Sequence, residues 1–342
     1  VNQIKPWPTY YALKKALQPV LVSAELYGRH FYSARTIHER VCIVNDSEDY
    51  QAITGGHLIW EFQREGQVLS HGQIEVPPLN YYENRWLDVE FKTPQNLSAP
   101  RVDGELILKL EANGKILSEN NYDVVIATRE WAKGEFKDKT NLRLWNPGNS
   151  STNILSDLPI ANIDSIEAVG MTNVLIVGSV DAAGLTESQA SQLKDFVFQG
   201  GQVLMVHPGK ALATLFPEQI GGYQAKAGEI VTMHVPESPV FSEIEPLDLA
   251  WFERGGRQLP IACSGVYQVA TDRKDVTALA SQLDLHGYLK QTSQISRIGG
   301  APLVEIRIGR GRLLASELCL ESGNDDPIAR RLLSNIIRYL EP

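Results

Sequence analysis

The rhythm of apolar residues changes once along this chain, and that change limits the fold more than any single motif does. From about Val20 to Arg129, short apolar runs are separated by turn residues at roughly ten-residue spacing. Residues 40–44 (RVCIV) run into Asn45-Asp46, and residues 57–62 (HLIWEF) run toward Glu65-Gly66. Residues 86–91 and 105–110 alternate apolar with polar, and the second run leads to Asn113-Gly114, a strong hairpin-turn pair. Residues 122–127 close the series. About seven strands with no helix between them predict an antiparallel β-sandwich of immunoglobulin type.

After Trp131 the pattern becomes strand–helix alternation. Residues 141–145 meet Asn146-Pro147-Gly148, and a helix is predicted through Ile154, Leu155 and Leu158. Residues 173–178 (NVLIVG) form a continuous apolar run, as expected of a strand buried on both faces. Thr186 suits the N-cap of a helix over 187–199, in which Leu193, Phe196 and Val197 fall at helical spacing. Gly200-Gly201 ends that helix and residues 202–206 form the next strand, a βαβ unit that implies a right-handed crossover and parallel pairing. Residues 303–308 and 312–316 flank Gly309–Gly311 as a hairpin, and Asp326-Pro327 caps a final amphipathic helix to Leu340. The expectation is a flavodoxin-like three-layer α/β domain with a mostly parallel sheet. Residues 221–289 hold strands and a long connection without a clear rhythm.

At the N-terminal end, Tyr10, Leu13 and Leu17 recur at helical spacing between Pro8 and Pro19. A helix of about ten residues is not stable alone in water, so this stripe is expected to pack against something. The chain thus divides into residues 1–19, 20–130 and 131–342 and reads as a fragment of a longer protein.

Composition narrows the function. With 342 residues, 43% hydrophobic and 21% charged, the chain can bury real cores. A formal charge of −9 without a basic stripe argues against nucleic acid as a partner. No apolar run approaches the roughly twenty residues of a membrane-spanning helix. Cys42, Cys263 and Cys319 are far apart and form no CxxC pair, so neither a zinc site nor a disulfide framework is suggested; Cys42 and Cys319, inside apolar strand patterns, are expected to be buried free thiols, and no cofactor is expected. Asn45-Asp-Ser47, Asn96-Leu-Ser98 and Asn149-Ser-Ser151 match the glycosylation pattern.

Several segments carry a resemblance. Lys5-Pro-Trp-Pro-Thr-Tyr-Tyr11-Ala-Leu-Lys14, then Gln18-Pro-Val-Leu-Val22 and Val44-Asn-Asp46, resemble the end of the catalytic barrel and the following sandwich in glycoside hydrolase family 2, which contains β-galactosidases and β-mannosidases. Leu144-Trp-Asn-Pro147, Val174-Leu-Ile-Val-Gly178, Gly200-Gly-Gln-Val-Leu204 and Asp326-Pro-Ile-Ala-Arg330 resemble the class I glutamine-amidotransferase-like domain that some members append. The resemblance implies a non-catalytic accessory region whose partner is a catalytic barrel of the same polypeptide. It further implies an oligo- or polysaccharide substrate for that parent, contacts between copies of the chain, and an exported parent.

No catalytic residue carries over. The family's two glutamates lie on the barrel, and Glu61, between Trp60 and Phe62, reads as a solvated sandwich residue. On the amidotransferase side, Cys263 lies in Ile261-Ala-Cys-Ser-Gly265, which lacks the nucleophile elbow, and Cys319 lies in strand-like sequence.

Ligands of open α/β sheets sit at the carboxyl ends of the strands. That criterion selects Trp145 and Asn146, Ser179 and Asp181, His207 and Lys210, and Glu317 or Glu321. The ordinary reading of His207-Pro-Gly-Lys210 is a ring bonded to a loop carbonyl and a solvated lysine. On the sandwich, Tyr81, Tyr82 and Trp86 could stack on a sugar, although core packing is the expectation for Trp86. Beside the accessory reading, two alternatives stand: a carbohydrate-binding module, and an independent enzyme using the crevice at His207.

Overall fold

The computed structural model describes residues 8–134, 141–147, 158, 160–178, 180, 185–255, 258–284 and 297–342. The predicted helix near Ile154 and Leu155, the candidates Ser179 and Asp181, and the Asn149 glycosylation pattern lie outside these residues. The chain is multi-domain and strand-rich. It divides into two compact units, Val1–Arg129 with Gly255–Gln258, and Glu130–Arg254 with Leu259–Pro342.

In the first unit, β1 (Val20–Ala24), β3 (Thr36–Asn45) and β6 (Glu83–Lys92) form an antiparallel sheet in the order β1-β3-β6. The second sheet takes β2 (His30–Tyr32), β8 (Lys115–Ala127), β7 (Arg101–Ala112), β4 (Gly56–Arg64) and β5 (Gln67–Val76) in that spatial order. Only β2 pairs in parallel among these strands, along β8. Alternation decides which side chains meet between the sheets. Val22, Val41, Ile43 and Phe91 from one sheet share a core with Leu58, Phe62, Leu106 and Leu110 from the other. Burying each such side chain is worth about 1.5–3 kcal/mol. Trp60 adds edge-to-face contacts with Phe62 at 6.0 Å and Phe91 at 5.8 Å between ring centroids.

The Asn113-Gly114 hairpin forms as its sequence demands, with φ of 51° and 73° at its two central residues. Glu61 faces away from Trp60 and pairs with Lys109 at 2.8 Å; this hydrogen bond holds its carboxyl below the usual range.

One expectation changes here. Trp86 is not in the core. The residues of β6 that turn inward are Val89 and Phe91, so Trp86 shares the outer face with Asp88, and Arg40 lies 4.8 Å from its ring centroid. Asn45 is fully buried and donates to the carbonyls of Gln51 and Leu79, so its amide is a turn fastener and not an exposed glycan acceptor. The helix α1 (Pro8–Ala16) forms, but Tyr10, Leu13 and Leu17 are each more than half exposed, and no described residue covers their stripe. Its polar side is what is tied down, through Lys15 to Asn121 and through Gln18 to Ser118 and Glu119.

A five-residue helix, α2 (Arg129–Lys133), falls where the two units divide. The second unit is built on a ten-stranded mixed sheet. Its parallel side runs β10 (Ile160–Ile163), β9 (Leu142–Trp145), β11 (Val174–Val177), β12 (Gln202–Val206) and β18 (Gly311–Ser316). Beyond β18 the pairing is antiparallel, through β17 (Arg297–Ile308), β15 (Cys263–Val269) and β13 (Ile220–Gly228), with β16 (Val276–Asp284) and β14 (Val231–Met233) branching from β17. The sheet is therefore parallel on one side only. The residues without a clear rhythm supply the antiparallel side.

The helix α3 (Glu187–Gln199) has Thr186 as N-cap, closed by a reciprocal capping box with Gln189. Its Leu193, Phe196 and Val197 bury against Leu175, Val203, Met205 and Leu313. The alternate residues Ile176, Leu204 and Leu314 are buried on the opposite side of the sheet. A short helix, α4 (Lys210–Leu215), follows β12. The last helix, α5 (Pro327–Leu340), reaches β12 and starts at Asp326, whose carboxylate accepts from the N–H groups of Ile328 and Ala329. Arg331 donates to the Trp131 carbonyl at 2.8 Å and to Glu243 at 2.6 Å, which offsets part of the cost of its burial.

Gly311, at the β17–β18 hairpin, lies so close to α3 that a Cβ there would collide with the backbone oxygens of Val197 and Gly201. Gly311→Ala is expected to destabilise the fold by about 1–3 kcal/mol, because backbone cannot step aside as a side chain can. Chemical denaturation of the variant checks this, and an unchanged midpoint would contradict it.

Candidate functional site

The polar cluster of the second unit sits where β12 and β18 end side by side. Parallel pairing of Val206 with Ser316 brings the next residues, His207 and Glu317, to one edge of the sheet. The third contributor is β15, tied to the same edge because Ser264 N–H donates to the Glu317 carbonyl at 2.9 Å. Tyr223 of β13 then enters through its pairing with Tyr267.

His207 takes a left-handed backbone, φ 49°, uncommon for a residue with a side chain, and Gly209 follows at φ 55°, ψ −137°. This turn aims the Gly209 N–H at Glu317 Oε1, 2.8 Å away. It also places the imidazole between two carboxylates. His207 Nε2 is 2.9 Å from Glu321 Oε2, and Nδ1 is 3.1 Å from Ser264 Oγ and 3.6 Å from Glu317 Oε2. Glu317 is almost fully buried, and Tyr267 OH donates to its Oε1 at 2.5 Å. Ser264 Oγ reaches its Oε2 at 3.2 Å, and Tyr223 OH lies 3.5 Å from the same oxygen.

The electrostatics follow from this enclosure. Burial opposes charge on His207, but hydrogen bonds to Glu317 and Glu321 outweigh it and raise its pKa to about 9. Burial likewise opposes charge on Glu317 and Glu321, yet the hydrogen bonds from His207, joined at Glu317 by Tyr267, leave both below the usual carboxylate value. Burial and the Glu317 charge push the Tyr223 phenol up to about 12 and the Tyr267 phenol further still. At neutral pH the cluster is one imidazolium between two carboxylates, ringed by neutral hydroxyls.

That state limits its chemistry. An imidazolium holds protons on both nitrogens and cannot take one from Ser264, so the serine is not activated as a nucleophile. The nearby thiols are no better placed. Burial raises Cys263 to about 12 and pushes Cys319 well above the ordinary thiol value, so neither is a thiolate at neutral pH. Alkylation of the folded protein by iodoacetamide should therefore leave Cys263 and Cys319 unmodified, and rapid labelling of either, read by peptide mass, would contradict this burial. Among the described residues, no group of three or more His, Cys, Asp or Glu side chains could hold a metal ion.

The other strand-end candidates separate. Trp145 is 3% exposed and packs in the apolar cluster with Leu175 and Val177, so core packing accounts for it. Lys210 is exposed at the start of α4. His207 bonds carboxylates and not the loop carbonyl expected of it, while Glu317 and Glu321 do stand at the strand end. Ser264, Tyr223 and Tyr267 were not singled out by sequence; the only signal was that they lie on strands of the segment without a rhythm. In the first unit, Tyr81 and Tyr82 are exposed and joined by Tyr50. Tyr50 and Tyr81 have ring centroids 4.9 Å apart at 74°, and Tyr81 and Tyr82 5.9 Å apart at 46°.

No protein-family model matches this chain, and no curated protein matches it. Among solved structures, it is similar to a ThuA-like protein from Bacteroides uniformis, at 14% identity and a TM-score of 0.40, over 60% of this chain and 94% of that one. It is also similar to Spo0M, a sporulation control protein from Bacillus subtilis, at 11% identity and a TM-score of 0.24, over 33% of this chain and 51% of that one. At these scores neither likeness assigns a fold or a function.

Proposed function

We propose that this chain is a non-catalytic accessory region of a family 2 glycoside hydrolase, made of an immunoglobulin-like sandwich followed by a flavodoxin-like, amidotransferase-like α/β domain. Its role is to support a catalytic barrel of the same polypeptide or to mediate contacts between copies. The order of the two units and the resemblances quoted above agree with this reading. The observation that carries it is the strand-end cluster itself. Where an amidotransferase-type enzyme needs an activated thiol, this chain has a closed set of charges around His207 and two buried, neutral cysteines.

The test is turnover. The purified chain is expected to release no nitrophenol from nitrophenyl β-galactoside, β-mannoside or β-glucuronide, and no ammonia from glutamine. Saturable turnover that disappears in Glu317→Gln would overturn the accessory reading in favour of an enzyme at the crevice. The carbohydrate-binding reading of the sandwich gains little from its tyrosines. A flat sugar face needs coplanar rings, and those of Tyr50, Tyr81 and Tyr82 are steeply inclined to one another.

A further inference from the structure

The second unit contains a cavity of about 660 Å³ whose lining includes Tyr267 of the strand-end cluster but not His207, Glu317 or Glu321. It opens where the sheet branches. β17 pairs with β16 along most of its length, and with β15 at Tyr267 and Ala301. The cavity is walled by residues of these strands, of the β15–β16 connection, and by His234 and Val235 just beyond β14. Its size lies in the range of small-molecule sites, which run from about 300 to 1,000 Å³.

The chemistry of the walls selects a ligand class. Arg273 is the described lining residue with a permanent charge, and all its nitrogens are engaged. Two bond Asp275 at 2.8 and 2.7 Å, and the third bonds Glu218 at 2.8 Å. An ionic ligand would find no uncommitted countercharge there. The remaining polar groups are hydrogen-bonding ones without a permanent charge: Gln268, Thr271, Thr277, and the pair His234 and Ser281, joined at 2.8 Å. Among the described residues, no hydrogen-bond partner is found for the side chains of Gln268, Thr271 and Thr277, which leaves their donors and acceptors open to a ligand. Between them lie the apolar Val235, Val269, Val276 and Ala278. Hydroxyl-bonding groups set among aliphatic patches match a molecule whose hydroxyls ring a C–H face.

We infer that this cavity binds a neutral polyhydroxylated ligand of monosaccharide size, held by Gln268, Thr277 and the His234–Ser281 pair. The inference does not rest on the accessory reading, since it involves no turnover and draws on none of the His207 cluster's charged groups.

The experiment is saturation-transfer NMR of the whole chain with D-glucose, D-galactose, D-mannose and D-xylose as neutral probes and D-glucuronate as the charged one. Each is titrated to about 50 mM, above the millimolar range of weak sites. Saturable binding of at least one neutral sugar is expected, with no binding of glucuronate. Thr277→Trp, which fills the cavity, should abolish it. Thr277→Val, which removes one hydroxyl and is the smaller perturbation, should weaken it about threefold to tenfold while the circular dichroism spectrum stays unchanged. The inference is overturned if no neutral sugar binds, if glucuronate alone binds, or if binding survives in both variants, which would place it elsewhere, such as at Tyr50, Tyr81 and Tyr82.

Discussion

Replacing Glu317 by alanine is expected to cost about 3–5 kcal/mol of folding stability, more than any other single change considered for this chain. The carboxylate is almost fully buried and receives hydrogen bonds from the Gly209 N–H, Tyr267 OH and Ser264 OH. Removing it leaves these donors without an acceptor and the His207 imidazolium with Glu321 as its remaining countercharge. Each stranded buried donor costs about 1–3 kcal/mol, and an uncompensated charge costs more. Denaturation of the full chain, following the transition of the unit that contains Glu317, measures the loss. A shift below about 1 kcal/mol would mean the cluster is loosely hydrated and the hydrogen bonds do not hold it. Glu317→Gln separates charge from shape. It keeps an acceptor for Tyr267 and is expected to fall between the wild type and the alanine variant.

The second large effect is a loss of stability on the alkaline side of neutrality. His207 has its pKa raised from 6.5 to about 9 in the folded state. A raised pKa means that the folded protein binds the proton more tightly than the unfolded chain does. The stabilisation is fully present below pH 6.5, declines as pH rises above it, and is lost once pH passes about 9. A shift of this size corresponds to about 3 kcal/mol. Glu317 and Glu321, with lowered pKa values, act in the opposite sense: their contribution is present above about pH 4.5 and is lost as the solution is acidified below it. Stability should therefore be greatest between these limits. An NMR titration of the His207 ring is the direct measurement, with a midpoint near 9 expected in the wild type and a lower one in Glu321→Gln. A wild-type midpoint at or below 6.5 would show that the carboxylates do not hold the proton.

Both predictions concern a cluster that was half legible before folding. His207, Glu317 and Glu321 follow apolar strands, and the rule that ligands and polar clusters gather at strand carboxyl ends selects them. Tyr267, Tyr223 and Ser264 could not be found that way. They come from β13 and β15, whose bulged antiparallel pairing shifts register twice between Ile220 and Gly228 and blurs the period of two on which strand reading depends. Trp86 shows a different limit. Alternation with Leu and Val positions suggests a core place for it, but the phase of that alternation puts it with Asp88 on the outer face, so a period of two does not by itself say which face turns inward. α1 is similar: Tyr10, Leu13 and Leu17 keep helical spacing, yet spacing does not say what covers a stripe.

What the sequence determined by itself was local: the division into a strand-and-turn part and a strand–helix part, the Asn113-Gly114 turn, the Thr186 and Asp326 caps, and the βαβ unit through α3. Each depends on residues a few positions apart, where propensity, capping and backbone sterics act directly. The tertiary structure alone decided the mixed sheet, the closed charge balance around His207 and the cavity at the branch of β17. These depend on which strands meet and in what register, and that choice is made by burial summed over residues far apart in the chain. A hydrogen bond between His207 and Glu321 spans 114 positions, a separation over which no local pattern carries information.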